Sequence, residues 1–249
     1  EPAEGLGFWS DLTPGLGAGS RTDGASITPA ARFGPELSFA RRLRELRPDE
    51  RVAIIKYAKG GSSIDDRVAD WGTWDPHDTR GEGASPPEQN AGVNQYDHAL
   101  ATIRRAMRVV DNGGDIDGDG TPDELIPAGI VWMQGETDAT NPQTAGDYDD
   151  NMTELIGLLR AAMWSGDLPF VMGRISDSKL NAGEAEPVWT HGDIVRAAQA
   201  EVSLLDPNVE LVTSTDAYGY SDFAHYDAAG YLDLGEKFAE AMNALRKSD

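Results

Sequence analysis

The sequence of 249 residues contains no cysteine. Without thiols the protein forms neither disulfides nor thiolate metal sites, and a cysteine nucleophile is excluded. No run of 18 apolar residues occurs, so no membrane-spanning helix is predicted. Basic residues are scarce, since 21 Lys and Arg stand against 43 Asp and Glu and leave a net charge of −22. This balance argues against nucleic acid and against an anionic membrane surface as partners.

The sequence begins at Glu1 and therefore lacks an initiating methionine. It also shows no signal-peptide pattern. We expect that processing or truncation has removed a preceding segment. A strongly acidic surface suits salty surroundings, and we therefore expect a secreted or periplasmic bacterial protein.

Apolar residues are spread along the length, which predicts one folded domain over residues 1–249. Residues 1–33 are rich in Gly, Pro, Ser and Thr and are expected to form an irregular surface segment. Beyond them, helical periodicity alternates with short β-rich runs. Helices are predicted over Glu36–Leu46, Gln95–Val110, Tyr148–Met163, Val188–Leu205 and Asp227–Lys247, and strands over Arg51–Ala58, Ala128–Met133, Pro169–Ile175 and Val209–Thr213.

This alternation predicts an α/β fold, a three-layer α/β/α sandwich with a mostly parallel sheet. The alternation begins with a helix, and no convincing apolar run precedes Glu36. We therefore expect the first strand of the sheet to lie upstream of residue 1.

Asp222 and His225 follow the last predicted strand, on the side of the sheet where open parallel sheets bind ligands. Their spacing lets one turn present both side chains to the same pocket. Acyl transfer needs a base with a pKa near 7 and a carboxylate that orients it. A capping pair would have the same spacing. The other histidines are expected to be solvated or to pack: His77, His98 and His191.

Gly60, Gly61 and Gln134 also follow predicted strands. Glycines let the backbone approach a ligand and point an N–H group at it, and a glutamine side chain can donate as well. Together these groups could form an oxyanion hole, which needs donors placed where negative charge develops. The alternative is that the two glycines only form a tight turn.

Five runs together resemble one family in order and spacing: FGPELSFA (33–40), IIKYAKGGSSI (54–64), WMQGETDA (132–139), LPFVMGRI (168–175) and DFAHYDAAGYLDLG (222–235). They resemble the sialate O-acetylesterase-like and acetylxylan esterase group of the SGNH hydrolase superfamily. The likeness covers nearly everything from Gly34 onward, and the Q-G-E-x-D and D-x-x-H blocks are its most specific parts. It implies a flavodoxin-like sheet.

The resemblance implies a role for each matching residue. His225 would be the general base and Asp222 its carboxylate partner. Gln134 would donate to the oxyanion, and Gly61 or Gly60 would supply a backbone N–H group. The implied activity is hydrolysis of acetyl esters on a carbohydrate without a catalytic cofactor, and sialic acid, xylan or another glycan remains open as the acetyl carrier.

Glu136 and Asp138 match the same family block. For both we favour a supporting role, in which they hold Gln134 and its loop in position. Asp138 could also serve as a helix cap.

The family carries its nucleophilic serine in a G-Q-S-N block after the first strand, and this sequence has no such block. We expect the block upstream of residue 1, with the missing strand. Two alternatives remain: a non-catalytic relative that only binds sugar, or a nucleophile among Ser62 and Ser63, although G-G-S-S-I is not a G-x-S-x-G elbow.

An acidic loop within residues 111–126 resembles the start of a calcium-binding loop, with a glycine, Gly120, at its sixth position. Its candidate oxygen ligands are Asp115, Asp117, Asp119, Thr121 and Asp123. The usual glutamate at position twelve is replaced by Ile126. We expect a structural calcium ion here, and a solvated acidic turn is the alternative.

Three tryptophans lie in loops near the predicted pocket: Trp71, Trp74 and Trp189. Indole rings could line a glycan site, and core packing explains them equally well.

Overall fold

The computed structural model describes residues 9–17, 19–22, 26–78 and 93–246. Within these ranges the strands are β1 (Arg21–Thr22), β2 (Ile27–Thr28), β3 (Ile130–Met133), β4 (Phe170–Gly173) and β5 (Val209–Val212). The α-helices are α1 (Glu36–Leu46), α2 (Gln95–Asp111), α3 (Pro142–Gly146), α4 (Tyr148–Ala162), α5 (Ser178–Asn181), α6 (Gly192–Leu205) and α7 (Ala228–Leu245).

A parallel sheet with the strand order β3-β4-β5 forms the centre of the molecule. Ile130 lies opposite Phe170, which in turn lies opposite Val209. The predicted α/β class is confirmed. Because the strands are parallel, the segments that follow Met133, Gly173 and Val212 lie at one edge of the sheet.

Helices cover both faces of this sheet. Helix α7 packs on β4 and β5, and α1 packs on α7, while α4 and α6 pack together on the opposite side. Phe170 and Met172 point into the larger core cluster and Val171 into the cluster beneath α7. All of β4 is therefore buried, as its almost continuous apolar run predicts. No helix in the described ranges is long and apolar enough to cross a bilayer.

Most predicted helices agree with the structure to within a few residues, and α1 agrees at both ends. The predicted start of the fourth helix at Val188 is wrong, since the corresponding helix α6 begins at Gly192. The N–H groups of Val188 and Trp189 instead donate to the carboxylate of Asp177, which holds this stretch outside the helix. Helix α7 begins after Asp227, whose side chain accepts the N–H group of Gly230 at 2.8 Å. Lys247 lies outside the described residues.

The predicted strand over Arg51–Ala58 is wrong. Residues 51–59 have no regular secondary structure, and no backbone–backbone hydrogen bond joins them to another described residue. A β-rich run becomes a strand only beside a partner, and none of the described segments pairs with it. Before α1, the described residues contain only the short antiparallel pair β1 and β2, which does not join the parallel sheet.

Truncation of Phe238 tests the core beneath α7, where its ring is fully buried. Phe238→Ala is expected to lower the free energy of unfolding by about 3–5 kcal/mol, because it removes apolar contacts and leaves a cavity. Leu232 on the same helix is 41% exposed, and Leu232→Ala should cost about 0.5 kcal/mol or less. Urea denaturation measures both, and similar losses in the two variants would refute this description of the core.

Candidate active site

Asp222 and His225 lie in one turn after β5 and contact each other directly. Nδ1 of His225 is 2.8 Å from Oδ2 and 3.0 Å from Oδ1 of Asp222. Oδ1 also accepts the N–H groups of Ala224 at 2.9 Å and of His225 at 2.7 Å. These hydrogen bonds, first the one from Ala224, lower the pKa of Asp222 to about 2. An ionised Asp222 accepts the proton on Nδ1, so Nε2 carries the free lone pair that a general base needs.

The turn is fastened to the sheet edge by tyrosines that the sequence analysis missed. The Tyr226 hydroxyl lies 3.0 Å from the Ser176 hydroxyl, which follows β4. Tyr220 pairs with Tyr226 through a β-bridge and also contacts Ser176, at 2.6 Å. Tyr226 directly follows His225 in the sequence, and an aromatic residue beside a candidate base is the signal that could have indicated this anchor. His225 is therefore held at the carboxyl end of β4.

Gln134 follows β3 and is buried. Its Nε2 atom donates to the Ser62 carbonyl at 3.2 Å and to the carboxylate of Asp138. The Tyr148 hydroxyl, fully buried, donates to the Gln134 carbonyl at 3.0 Å and also lies 3.3 Å from Oε1. Both hydrogens on Nε2 are thus engaged, so Gln134 could donate to an oxyanion only by giving up its bond to Ser62 or its bond to Asp138. Its role as oxyanion donor stays a prediction.

Gln199 joins the ends of β3 and β4 and was not predicted from the sequence. Its carboxamide is fully buried, accepts the N–H group of Ile175 at 3.0 Å, and donates to the carbonyls of Gln134 and Gly173 at 3.2 and 3.3 Å. A polar residue one turn after Val195 on the apolar stripe of α6 was the available signal. Buried carboxamides need such partners, and this one fixes the path of the chain where the site begins.

Asp138 ties the Gly-Gly turn to the end of β3. Its buried carboxylate accepts the N–H group of Ile64 at 3.1 Å and of Asp65 at 3.0 Å, in addition to Nε2 of Gln134. Burial nevertheless raises the pKa of Asp138 to about 6, because removing the charge from water outweighs these donors. The contact with Gln134 fits the supporting role predicted for Asp138.

Gly60 and Gly61 leave their N–H groups without a hydrogen-bond acceptor among the described residues. Gly61 has φ +76°, and a Cβ atom there would lie 2.7 Å from the ring of Trp71, so only glycine fits. The Thr137 hydroxyl donates to the Gly61 carbonyl at 3.0 Å, which binds the turn to the loop after β3. Both N–H groups are therefore available to a ligand, and their assignment to an oxyanion hole stays a prediction.

Glu136 lies two residues after Gln134, in the loop that follows β3. Among the described residues its carboxylate forms no ion pair and no hydrogen bond to another side chain, and it interacts electrostatically with Asp138 and His225. Burial raises the pKa of Glu136, and the charge of Asp138 adds to this shift. Nothing bonds it to Gln134, so its predicted supporting role remains a prediction.

No described serine contacts Nε2 of His225. Ser62 and Ser63 are buried, and their hydroxyls donate to the carbonyls of Lys59 and Asp65 at 2.8 and 2.6 Å. A nucleophile must be accessible and within reach of the base, so the placement of both serines argues against either in that role.

The acidic loop between α2 and β3 brings carboxylates together. One oxygen from each of Asp115, Asp117 and Asp123 lies within 4.8 Å of the others, a set that suits a hard cation. Arg51 contacts Asp117 and lies 3.0 Å from Asp119, so an ion would have to displace this guanidinium. Calcium binding, with Thr121 as a further ligand, stays a prediction.

Residues 18–244 match the family described as carbohydrate esterase, sialic acid-specific acetylesterase, and the chain belongs to this family. A solved structure of an Arabidopsis thaliana protein is similar, with a TM-score of 0.58 and 23% identity over 86% of this chain and 70% of that one. A carbohydrate acetylesterase from Xanthomonas citri also has a TM-score of 0.58, with 20% identity over 86% of this chain and 41% of its own. No curated protein sequence is significantly similar to the chain. The resemblance stated from the sequence motifs is confirmed.

The raised pKa of Asp138 predicts a pH-dependent stability. The folded protein holds this proton up to about pH 6, whereas the ordinary pKa of the group is 3.8, so stability falls as pH rises between these values. Relative to Asp138→Asn, which cannot ionise, the wild type should lose up to about 3 kcal/mol across this window. Denaturant titrations of both proteins at pH 4, 5, 6 and 7 measure the difference. If the stabilities of the two proteins change in parallel with pH, the pKa of Asp138 is not raised.

Calcium should stabilise the loop if the carboxylates bind it. Calcium chloride is expected to raise the melting temperature and chelator to lower it, since a ligand of the native state at about 100-fold its Kd adds about 2.7 kcal/mol. Asp115→Asn and Asp123→Asn should abolish the response, and Asp167→Asn, an exposed change in another loop, should keep it. If neither reagent changes the melting temperature, the loop is a solvated acidic turn and the calcium prediction is wrong.

Proposed function

We propose that this protein is a carbohydrate O-acetylesterase that hydrolyses acetyl esters on a glycan by a Ser-His-Asp mechanism. The observation that carries the proposal is the pair of Asp222 and His225, in which the carboxylate binds Nδ1 and leaves Nε2 open. The pair follows β5 at the edge of the sheet where parallel folds bind ligands, and the N–H groups of Gly60 and Gly61 have no acceptor among the described residues. The family to which the chain belongs supports the same class of reaction.

In the first half of the reaction, Nε2 of His225 takes the proton of the serine hydroxyl as the oxygen attacks the acetyl carbon. Asp222 stabilises the imidazolium that forms. The N–H groups of Gly60 and Gly61 donate hydrogen bonds to the carbonyl oxygen and stabilise the negative charge that develops on it. The bond between the acetyl carbon and the sugar oxygen then breaks, the imidazolium returns its proton to that oxygen, and an acetyl-enzyme remains.

In the second half, water attacks the acetyl carbon while Nε2 of His225 accepts one of its protons. Collapse of the intermediate breaks the bond to the serine oxygen, which recovers the proton from the imidazolium. The products are acetate and the free sugar hydroxyl.

We place the nucleophilic serine on a segment N-terminal to residue 1, next to a strand that would complete the sheet. Two features support this placement. In β3 the side chain of Val131 is 37% exposed, whereas all of β4 is buried. The β-rich residues 51–59 have no ladder partner among the described segments. A strand between them would give β3 and residues 51–59 a ladder partner each.

A second function is favoured by one observation, the lack of any described hydroxyl at Nε2 of His225. On this alternative the protein is a non-catalytic relative that binds acetylated carbohydrate. The two functions differ in whether the full-length protein releases acetate.

Replacing His225 tests the base. In the full-length protein, His225→Ala should lower kcat for acetate release from an acetylated sugar by about 10³-fold or more, because proton transfer from the serine is lost. His77→Ala is the matched control, since His77 is exposed, pairs with Glu154 and should leave the rate unchanged. An unaltered rate in His225→Ala would eliminate His225 as the base.

Replacing Asp222 tests the orienting carboxylate separately. Asp222→Asn should lower kcat by about 10⁴-fold with little change in KM, because the amide favours the wrong imidazole tautomer. The same acetate-release assay measures both constants. A loss confined to KM would assign Asp222 to substrate binding instead.

A further inference from the structure

A pair of aromatic rings lies beside the catalytic turn. Phe223 stands between Asp222 and His225 in the sequence, and its side chain is 66% exposed. Its ring lies against Trp189, with the centroids 6.4 Å apart and the planes inclined by 49°. Trp189 is half-buried and packs against the larger core cluster, so Phe223 supplies most of the exposed apolar surface. Exposed apolar surface at the rim of a polar site marks a binding surface.

Both rings are held in place by hydrogen bonds to their backbones. The buried carboxylate of Asp177 accepts the N–H groups of Val188 at 2.7 Å and Trp189 at 2.9 Å. The neighbouring Ser178 hydroxyl donates to the Phe223 carbonyl at 2.7 Å. One short segment after β4 thus fastens the two loops that carry the rings. The aromatic pair is therefore arranged before a ligand binds, which reduces the ordering cost of binding.

The other two candidate tryptophans differ from this pair: Trp74 lies in the core, and Trp71 lies against the Gly60–Gly61 turn. Trp74 is buried in the core, packs edge-on against Trp132, and donates its indole N–H to Ser62 at 3.0 Å. The interpretation of Trp74 as part of a glycan site is therefore wrong. Trp71 packs on Gly61 with the Lys59 ammonium 5.6 Å from its ring.

We propose that Trp189 and Phe223 form an aromatic platform that binds the pyranose ring whose acetyl ester is cleaved. This inference rests on the proposed esterase function and names how that site selects a carbohydrate. A pyranose ring has an apolar face of C–H groups, which packs on an aromatic surface while its hydroxyls stay solvated. Because Phe223 is two residues from His225, a ring on the platform would bring its ester to the base.

If the platform binds the sugar ring, removing Phe223 should weaken the binding of a sugar ester and not that of an ester without a ring. In the full-length protein, Phe223→Ala should raise KM for a monoacetylated methyl xylopyranoside about tenfold. The same variant should leave kcat/KM for ethyl acetate unchanged, because ethyl acetate has no ring to stack. Phe223→Tyr keeps the ring and should restore the sugar KM. Trp164→Ala, which removes a 91% exposed indole, is the matched control and should change neither constant.

Binding without turnover separates this inference from the esterase proposal. Titration calorimetry of the His225→Ala protein with the same acetylated xylopyranoside should show about tenfold weaker binding when Phe223→Ala is added. If the wild type releases no acetate from either ester, the esterase proposal fails and the titration still decides the platform. If both esters are hydrolysed and Phe223→Ala alters their KM values equally or not at all, the platform is wrong and the esterase proposal stands.

Discussion

The carboxylate of Asp138 is the contact on which the geometry of the site depends. Residues 51–59 lack ladder hydrogen bonds, so the sheet alone does not fix the Gly60–Gly61 turn that follows them. Asp138 fixes it instead, by accepting the N–H groups of Ile64 and Asp65 while it also holds Gln134. Without this carboxylate the turn would be held to the loop after β3 only by Thr137, which donates to the Gly61 carbonyl, and by Gln134, which donates to the Ser62 carbonyl. Electrostatic stabilisation of an oxyanion requires such a fixed position.

Surroundings give the acidic groups of this site different protonation behaviour. Asp222 is exposed and surrounded by donors, which lower its pKa to about 2 and keep it ionised beside His225. Burial instead raises the pKa of Asp138 to about 6 and also raises that of Glu136. The strongly acidic composition therefore does not put equal charge on every carboxyl at the sheet edge. The carboxylate that must orient the base is the one that its environment keeps charged.

The sequence predicts well what depends on local periodicity and burial. The bounds of α1 and the buried run of β4 follow from residue spacing alone. Predictions are wrong where contacts distant in the sequence determine the secondary structure. The run over 51–58 needs a ladder partner, and the N–H group of Val188 bonds to Asp177 instead of joining the helix. Gln199 was missed because its partners lie on two separate strands. The spacing of Asp222 and His225 placed them correctly in one turn, whereas the surroundings of Glu136 could not be read from the sequence.

The central claim is that Asp222 and His225 serve a serine carried on a segment N-terminal to residue 1. The most direct measurement is reaction of the full-length protein with a fluorophosphonate probe, followed by mass-spectrometric mapping of the modified residue. Such probes phosphonylate only a serine activated by its base, whose oxygen displaces fluoride from phosphorus. The account predicts one modified serine upstream of residue 1, with labelling suppressed in His225→Ala. Labelling at Ser62 or Ser63, or labelling that persists in His225→Ala, would contradict it.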